Sequence, residues 1–274
     1  MTGKILLAAL LSVFSATAYC AHADTVTIFS NSMHKPIKCV VVTPDSYTSG
    51  SRQYPVVYLL HGHGGSYNNW VRNTSTLQPW ADALNLIVVC PDGNVSSWYF
   101  NSPVDTAWKY ETHVALEVPD FIDAHYRTIA NRNGRAITGL SMGGHGGLFL
   151  GIKHKDRFGA AGSMSGGVDF RPFPRNWNIS QRLGTYAENE QLWTRNTAFG
   201  LADSLRSGEL AMIIDCGVDD FFITVNRNLH QKLVEKKIAH DYTERPGKHD
   251  WDYWNNALPY QFLYFSRFFN KNND

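Results

Sequence analysis

Short apolar runs alternate with longer segments of helical periodicity along most of the chain. The run Val56-Val57-Tyr58-Leu59-Leu60 is apolar at every position, which is typical of a strand buried on both faces. Strands are predicted at residues 26–29, 37–43, 56–60, 86–90, 135–138, 160–164, 210–216 and 240–244. Helices are predicted at residues 67–84, 114–126, 145–153, 222–237 and 251–269.

The order of these elements predicts an α/β fold. The first two strands follow each other directly, whereas the later strands alternate with helices. This order is typical of a mostly parallel central sheet with an antiparallel start and helices on both faces. Loops that carry chemistry in such sheets gather at the carboxyl ends of the strands. Candidate functional residues are therefore sought directly after the predicted strands.

The periodicity fails between residues 165 and 207, in a segment that enters between two predicted core strands. Its aromatic residues are Phe170, Phe173, Trp177, Tyr186, Trp193 and Phe199. One interpretation is a cap or pocket wall over the functional site; the other is a surface insertion that packs on its own aromatic side chains. The sequence leaves both open.

Composition supports one globular domain. The chain has 274 residues, of which 43% are hydrophobic and 13% aromatic, enough for one sizeable core. The formal net charge of +1 implies neither a nucleic-acid partner nor an acidic polymer. No internal repeat or long linker divides the chain, so a single catalytic domain is expected over residues 24–274.

The first residues are typical of a signal peptide. Lys4 precedes an apolar stretch at 5–14 that is too short to span a bilayer, and Ala21-His22-Ala23 offers small residues at the two positions that a signal peptidase reads. We therefore expect residues 1–23 to be cleaved and the protein to be secreted or periplasmic. Lipid attachment at Cys20 is the alternative, disfavoured because Tyr19 is bulky for such a site.

Three cysteines remain in the expected mature chain. Cys39, Cys90 and Cys216 lie in or beside apolar strand runs, where cysteine behaves as a small hydrophobe. Buried free thiols are therefore expected rather than a disulfide framework.

The segment Gly139-Leu140-Ser141-Met142-Gly143 carries a candidate nucleophile. It has the form G-x-S-x-G and lies between a predicted strand and a small-residue segment that opens a helix. The flanking glycines leave room for a sharp, strained turn that exposes a serine hydroxyl. The alternative is a glycine-rich turn whose serine only caps the helix.

A second glycine-rich turn, His61-Gly62-His63-Gly64-Gly65, follows the apolar strand at 56–60. In an α/β-hydrolase the oxyanion hole takes one backbone N–H from the residue after the nucleophile and one from the loop after the third strand. This rule selects the N–H groups of Met142 and His63. A metal pair of His61 and His63 is disfavoured because no Asp, Glu or Cys lies nearby at ligand spacing.

A carboxylate and a histidine follow in the order that this fold uses. Asp219 and Asp220 come after the strand at 210–216, and His249 comes after the last strand. The order Ser, Asp, His is that of the α/β-hydrolases. Sequence geometry alone does not choose between Asp219 and Asp220. Asp92 and Asp169 also end strands but lack a comparable glycine turn, and a structural role is expected for His145.

At this point a resemblance to a known family becomes specific. The matching segments are Tyr58-Leu59-Leu60-His61-Gly62, the stretch from Gly134 to Gly144, Asp156-Arg157-Phe158, Cys216-Gly217-Val218-Asp219-Asp220-Phe221 and Gly247-Lys248-His249-Asp250-Trp251. They resemble the esterase D family, which includes S-formylglutathione hydrolases, tributyrin-type esterases, feruloyl esterases and mycolyltransferases. The likeness covers nearly the whole expected mature chain.

The resemblance implies roles for individual residues. Ser141 would be the nucleophile, His249 the base and Asp220 the third member, with the N–H groups of His63 and Met142 as the oxyanion hole. His63 departs from the family, whose members often carry an apolar or small residue there, so its side chain could add a polar contact. An aromatic segment like Ser96-Ser97-Trp98-Tyr99-Phe100 lines the site in relatives, so Trp98 is a candidate substrate contact; a core tryptophan is the alternative.

The expected function is that of a secreted serine carboxylesterase acting through an acyl-enzyme, a chemistry that needs no metal or organic cofactor. Export disfavours the cytosolic thioester S-formylglutathione and favours feruloyl or acetyl esters of plant carbohydrate, or short-chain esters. Transfer of the acyl group to a sugar hydroxyl is an alternative, since mycolyltransferases are relatives. A non-catalytic binding module is disfavoured by the complete Ser, Asp and His set.

Overall fold

A computed structural model describes residues 22–273, and these residues form one eight-stranded sheet. The strands are β1 (His22–Ser30), β2 (Lys35–Thr43), β3 (Val56–Leu60), β4 (Ile87–Pro91), β5 (Arg135–Gly139), β6 (Ala160–Met164), β7 (Ala211–Gly217) and β8 (Asp241–Arg245). Their order in the sheet is β1-β2-β4-β3-β5-β6-β7-β8. β1 and β2 pair antiparallel, as do β2 and β4, and the strands from β3 to β8 run parallel. The predicted mostly parallel sheet with an antiparallel start is confirmed.

Ten α-helices accompany the sheet in the described residues. They are α1 (Asn69–Asn73), α2 (Leu77–Ala83), α3 (Tyr110–Thr112), α4 (Val118–His125), α5 (Met142–Lys153), α6 (Ile179–Leu183), α7 (Glu190–Asn196), α8 (Ala198–Leu201), α9 (Ile223–Glu235) and α10 (Trp251–Asn273). A π-helical turn at His113–Glu117 joins α3 to α4. None of these helices is both long and apolar enough to span a bilayer.

Strand β3 shows why a continuous apolar run predicts a central strand. Val56, Tyr58 and Leu60 pack into the core on one face of the sheet, whereas Val57 and Leu59 pack into the core on the other. Residues from α4, α5 and α9 contribute to the first core, and residues from α1, α2 and α10 contribute to the second. Helices therefore cover both faces, as predicted.

The predicted helix at 67–84 is wrong in its continuity. The structure has two helices there, α1 and α2, separated by Thr74 to Thr76. Pro79 explains the break, because it has no N–H and its ring would clash with the carbonyl four residues earlier. It is tolerated in the first turn of α2. Thr74 also donates a hydrogen bond from its hydroxyl to the Asn255 side chain, 2.7 Å away, which ties the break to α10.

The expected signal peptide of residues 1–23, with the alternative acceptor Cys20, lies outside the described residues except for His22 and Ala23 at the start of β1. The three other cysteines are buried and free, as predicted. Burial raises the pKa of the Cys90 thiol to about 12 and also raises the pKa of the thiols of Cys39 and Cys216. These thiols are therefore packing groups rather than nucleophiles.

Candidate active site

Ser141 lies on a sharp turn between β5 and α5. Its backbone is in a left-handed conformation, φ 56° and ψ −116°, which is strained for a residue with a side chain. The glycines of the motif make this turn possible. A Cβ atom on Gly139 would lie 2.4 Å from the Leu60 carbonyl oxygen, and one on Gly143 would lie 2.5 Å from the same atom. The turn therefore packs directly against the end of β3.

His249 lies between Ser141 and Asp220. Its Nε2 is 2.9 Å from the Ser141 hydroxyl oxygen, and its Nδ1 is 2.7 Å from one carboxylate oxygen of Asp220. The other carboxylate oxygen accepts the backbone N–H of Phe222 at 2.8 Å. Asp220 is only 2% exposed, so its carboxylate is held from both sides in a dry environment. The three side chains form one hydrogen-bonded series.

The other aspartates considered from the sequence have different surroundings. Asp219 is exposed and lines a separate surface cavity beside Lys248. Asp92 accepts the backbone N–H groups of Tyr67 and Asn94. Asp169 pairs with Arg171 through both carboxylate oxygens. Of the aspartates considered, Asp220 is the one whose carboxylate lies within hydrogen-bond distance of His249.

A buried ion pair connects the strands that precede Asp220 and His249. Asp215 on β7 binds the guanidinium of Arg245 on β8 and accepts the hydroxyl of Tyr253 on α10. Asp215 is fully buried, so losing Arg245 would leave its charge uncompensated, and losing Tyr253 would remove a hydrogen bond from it. The network fixes β7, β8 and the start of α10 relative to one another, and with them the two loops that carry Asp220 and His249.

Two residues with candidate N–H donors lie close to Ser141, since His63 lines the same cleft and Met142 follows Ser141 in the chain. His63 lies in the loop after β3, and Met142 is the first residue of α5. Within residues 22–273 no carbonyl or side chain accepts a hydrogen bond from either N–H. The N–H of Met142 also lies at the positive end of the α5 dipole. Two unpaired donors beside a serine can stabilise negative charge on an oxygen bound there. The His63 side chain is exposed and lies near that of Asn178.

The serine and histidine open onto a cleft of about 370 Å³. The lining residues are Gly62, His63, Gly64, Gly65, Asn69, Leu140, Ser141, Trp177, Phe221, His249, Trp251 and Trp254. Phe221 is 52% exposed and its ring lies 4.2 Å from that of His249. Trp177 stacks on Phe221 with a ring separation of 5.8 Å. The cleft therefore presents aromatic surface next to the reactive hydroxyl.

Trp98 does not have the position that the sequence suggested for a substrate contact. It is 1% exposed and packs against His145 and Phe170 in the core behind the cleft. Its backbone is left-handed, with φ 52°. This burial agrees with the core alternative.

The aromatic residues that line the cleft are Trp177, Phe221, Trp251 and Trp254. The last three lie close to Asp220 or His249 in the sequence, and this closeness is the signal that could have identified them.

The segment 165–207 is partly a pocket wall and partly an insertion packed on its own aromatic side chains. Phe170 and Trp193 are fully buried in the main core and contact each other at 5.5 Å. Helices α6, α7 and α8 form a compact insertion around them. Only Trp177 from this segment lines the cleft. The insertion is therefore mainly a packed support, and one aromatic side chain extends from it to the site.

His145, for which a structural role was expected, and three further histidines are buried or hydrogen-bonded away from Ser141. His145 is fully buried among aromatic rings, and burial lowers the pKa of its imidazole to about 3. His113 pairs with Glu117 at 2.8 Å. The His125 ring forms a hydrogen bond with the backbone carbonyl of Phe121, one turn earlier in α4. His61, considered as half of a metal pair, has both ring nitrogens within 2.8 Å of backbone groups.

A sheet of this topology, with a serine turn after β5 and a carboxylate and a histidine after β7 and β8, defines the α/β-hydrolase class. The chain belongs to the esterase family: the family model described as "Putative esterase" matches residues 30–265. Members of this family and its structural neighbours are named esterases and serine hydrolases.

Individual relatives are similar over most of the chain. An acetyl esterase of Caldicellulosiruptor saccharolyticus is 27% identical over 79% of this chain and 85% of its own length. The mycolyltransferase Ag85B of Mycobacterium leprae is 28% identical over 77% and 75% of the two chains. An esterase of Mycobacterium tuberculosis is 30% identical over 76% of this chain, which spans about half, 51%, of that relative.

Solved structures give the same picture. A ferulic acid esterase superposes with a TM-score of 0.80 at 28% identity and covers 92% of this chain and 99% of its own. The S-formylglutathione hydrolase of Staphylococcus aureus superposes with a TM-score of 0.78 at 19% identity, over 90% and 99% of the two chains. The second likeness is one of fold.

Proposed function

We propose that the protein is a serine carboxylesterase in which Ser141, His249 and Asp220 form the catalytic triad. The observation that carries the proposal is the hydrogen-bonded series from Asp220 through His249 to Ser141, with the hydroxyl open to the cleft. Membership of the esterase family supports it independently.

The distances suit acyl transfer through a covalent intermediate. Ser141 Oγ attacks the ester carbonyl carbon while His249 Nε2 takes the hydroxyl proton, and Asp220 stabilises the imidazolium through Nδ1–H. The carbonyl oxygen becomes an oxyanion that accepts hydrogen bonds from the N–H groups of His63 and Met142. The alcohol leaves with the proton from Nε2. Water, deprotonated by the same nitrogen, then releases the acid and restores the serine.

Aromatic esters of carbohydrate are the substrates that the cleft fits best. Trp177 and Phe221 offer a stacked pair of rings beside the reactive centre. A feruloyl ring or a sugar face can pack on such a surface, with about 0.5–1.5 kcal/mol per aromatic contact beyond burial. The relatives named ferulic acid esterase and acetyl esterase support this class of substrate. Small acetyl esters would use the same machinery with fewer contacts.

We also propose that residues 1–23 direct export and are removed. The basic residue, the short apolar stretch and the small residues at 21 and 23 support this. N-terminal sequencing of the protein from the medium or periplasm of an expressing bacterium should give Asp24 as the first residue. An intact N-terminus in the cytoplasm would contradict the proposal.

The central test compares the wild type with Ser141→Ala. We expect the wild type to hydrolyse feruloyl, acetyl and butyryl esters and to be labelled by a fluorophosphonate, and the variant to do neither. Activity of a folded Ser141→Ala within tenfold of wild type would contradict the triad. Product analysis with a sugar acceptor distinguishes hydrolysis from acyl transfer, the activity named for the Mycobacterium leprae relative.

A further inference from the structure

The peptide unit between Gly62 and His63 carries a constraint on the proposed oxyanion hole. The carbonyl of Gly62 and the N–H of His63 belong to this one planar unit, which is trans. They therefore point in opposite directions. Any group that holds the Gly62 carbonyl also fixes the direction in which the His63 N–H points.

The side chain of His61 holds that carbonyl. Its Nδ1 lies 2.8 Å from the Gly62 oxygen, and its Nε2 lies 2.8 Å from the backbone nitrogen of Gly93. A carbonyl only accepts and a backbone N–H only donates. The ring is therefore neutral, with its proton on Nδ1 and a lone pair on Nε2. His61 is 1% exposed, and burial lowers the pKa of its imidazole, which favours the same neutral form.

We propose that His61 is a positioning residue that aims the His63 N–H at the oxyanion through its hydrogen bond to the Gly62 carbonyl; the inference rests on the proposed function above. His61 touches neither substrate nor the reacting serine. It acts through the peptide plane that it holds, and the Gly93 N–H holds the ring itself in the correct tautomer.

Tight packing also restricts the position of the Gly62–His63 peptide unit. A Cβ on Gly62 would lie 2.6 Å from Leu140 Cδ1 and 3.3 Å from Ser141 Cβ, so this peptide lies against the nucleophile turn. On the other side, Gly65 donates its N–H to the Gly62 oxygen at 3.1 Å. A Cβ on Gly65 would lie 2.5 Å from Asn69 Oδ1 and 2.9 Å from both that oxygen and His61 Nδ1. The hydrogen bond therefore occupies a space that a single methyl group would invade.

The two hydrogen bonds of His61 can be separated by substitution. The side-chain amide of Asn reaches the Nδ1 position and can donate to Gly62, but it does not reach Gly93. The amide of Gln extends to the Nε2 position and can accept from Gly93, but it does not supply the donor to Gly62. A positioning role therefore requires His61→Asn to retain activity and His61→Gln to lose it.

Steady-state kinetics on an acetyl ester and thermal unfolding test this difference. Because oxyanion donors act mainly in the transition state, His61→Gln should lower kcat by roughly 10- to 100-fold and leave KM within about threefold. His61→Asn should keep kcat within about fivefold. His113→Gln is the matched control: His113 is also buried and also paired, with Glu117, but lies on the helical turn before α4. It should lower Tm without lowering kcat.

Equal losses of kcat in His61→Asn and His61→Gln would overturn the inference, as would a loss confined to KM or one no larger than in His113→Gln. If His61→Gln does not fold, Gly65→Ala takes its place, with the same expected loss of kcat; wild-type kcat in that variant would overturn the inference equally. Ser141→Ala keeps the two proposals apart. Retained activity there removes the proposed function, whereas an inactive Ser141→Ala with an unaffected His61→Gln removes only this inference.

Discussion

The indole N–H of Trp98 donates a hydrogen bond to the backbone carbonyl of Trp177, 3.1 Å away. Both residues have left-handed backbones, each with φ 52°. Two such strained residues persist only where the surroundings over-determine them. The bond joins the loop after β4 to the insertion at 165–207 and holds Trp177 at the cleft. A core tryptophan therefore supports the aromatic wall that Trp177 and Phe221 form there.

Trp177→Ala should lower kcat/KM on feruloyl esters more than on a small chromogenic acetate. The lost stacking surface contributes about 0.5–1.5 kcal/mol, so the ratio of the two specificity constants should fall roughly two- to tenfold. Phe29→Ala, at an exposed aromatic position on β1, is the control and should change neither constant. An equal decline of kcat/KM on both esters in Trp177→Ala would show that Trp177 supports the structure of the cleft and does not select the substrate.

Asp220→Asn should lower kcat by roughly three to four orders of magnitude, because an amide can hold His249 in the unproductive tautomer. The neighbouring Asp219→Asn should have a much smaller effect, since Asp219 is exposed and lines a separate cavity. The two single substitutions change charge equally and lie in one loop. The measurement is kcat together with Tm. The reverse ranking would reassign the acid to Asp219.

Gly143→Ala should damage both stability and turnover. The added methyl would meet the backbone oxygens of Leu60 and His61 at 2.5 and 2.6 Å, so the nucleophile turn must shift. We expect a cost of about 1–3 kcal/mol in the free energy of unfolding and roughly a 100-fold lower kcat. Gly208→Ala is the control: it strains a backbone at φ 86° but meets no atom within 4 Å, so it should lose stability and keep kcat. Full activity in Gly143→Ala would contradict this account of the turn.

His145 should make the stability of the protein depend on pH. Its imidazole has a pKa of about 3 in the fold, against about 6.5 in the unfolded chain, so between these values the unfolded state binds more protons. The free energy of unfolding therefore falls as the pH drops below about 6.5. In His145→Phe, which removes the titration inside the same aromatic surroundings, this contribution should vanish.

The measurement is urea unfolding of both proteins between pH 7.5 and 4.5. Below pH 6.5 the wild type should lose about 1.4 kcal/mol per pH unit more than His145→Phe. The comparison isolates His145, because the contributions of all other histidines are common to both proteins. A difference that stays constant with pH would show that His145 is not held neutral.

The strand predictions succeeded where burial on two faces leaves a continuous apolar signal. All eight predicted strands correspond to β1 to β8, with ends that differ by a few residues. The helix predicted at 67–84 failed, although Pro79 was a visible warning of its break. Helices α6 to α8 were not predicted, since aromatic side chains packed within the insertion give no regular periodicity.

The candidate site could be predicted in its residue types and chain order but not in its side-chain directions. Asp219 and Asp220 share one loop, and only the fold determines which carboxylate lies beside His249. Trp98 and Trp177 are both aromatic residues in irregular segments with left-handed backbones, yet Trp98 is buried and Trp177 lines the cleft, a difference that local sequence does not encode. The tautomer of His61 depends on Gly93, a residue thirty-two positions away that no local pattern connects to it.

Strand β8 has a neighbour on one side only, whereas β5, which precedes Ser141, lies in the middle of the sheet. The side chains of β8 are also partly exposed along its length. An edge strand of this kind opens by local unfolding at a lower free energy than the sheet centre. His249 would then leave the serine while the nucleophile turn is still folded. Local opening of β8, measured by hydrogen exchange, should therefore set the temperature at which activity is lost, below that of global melting.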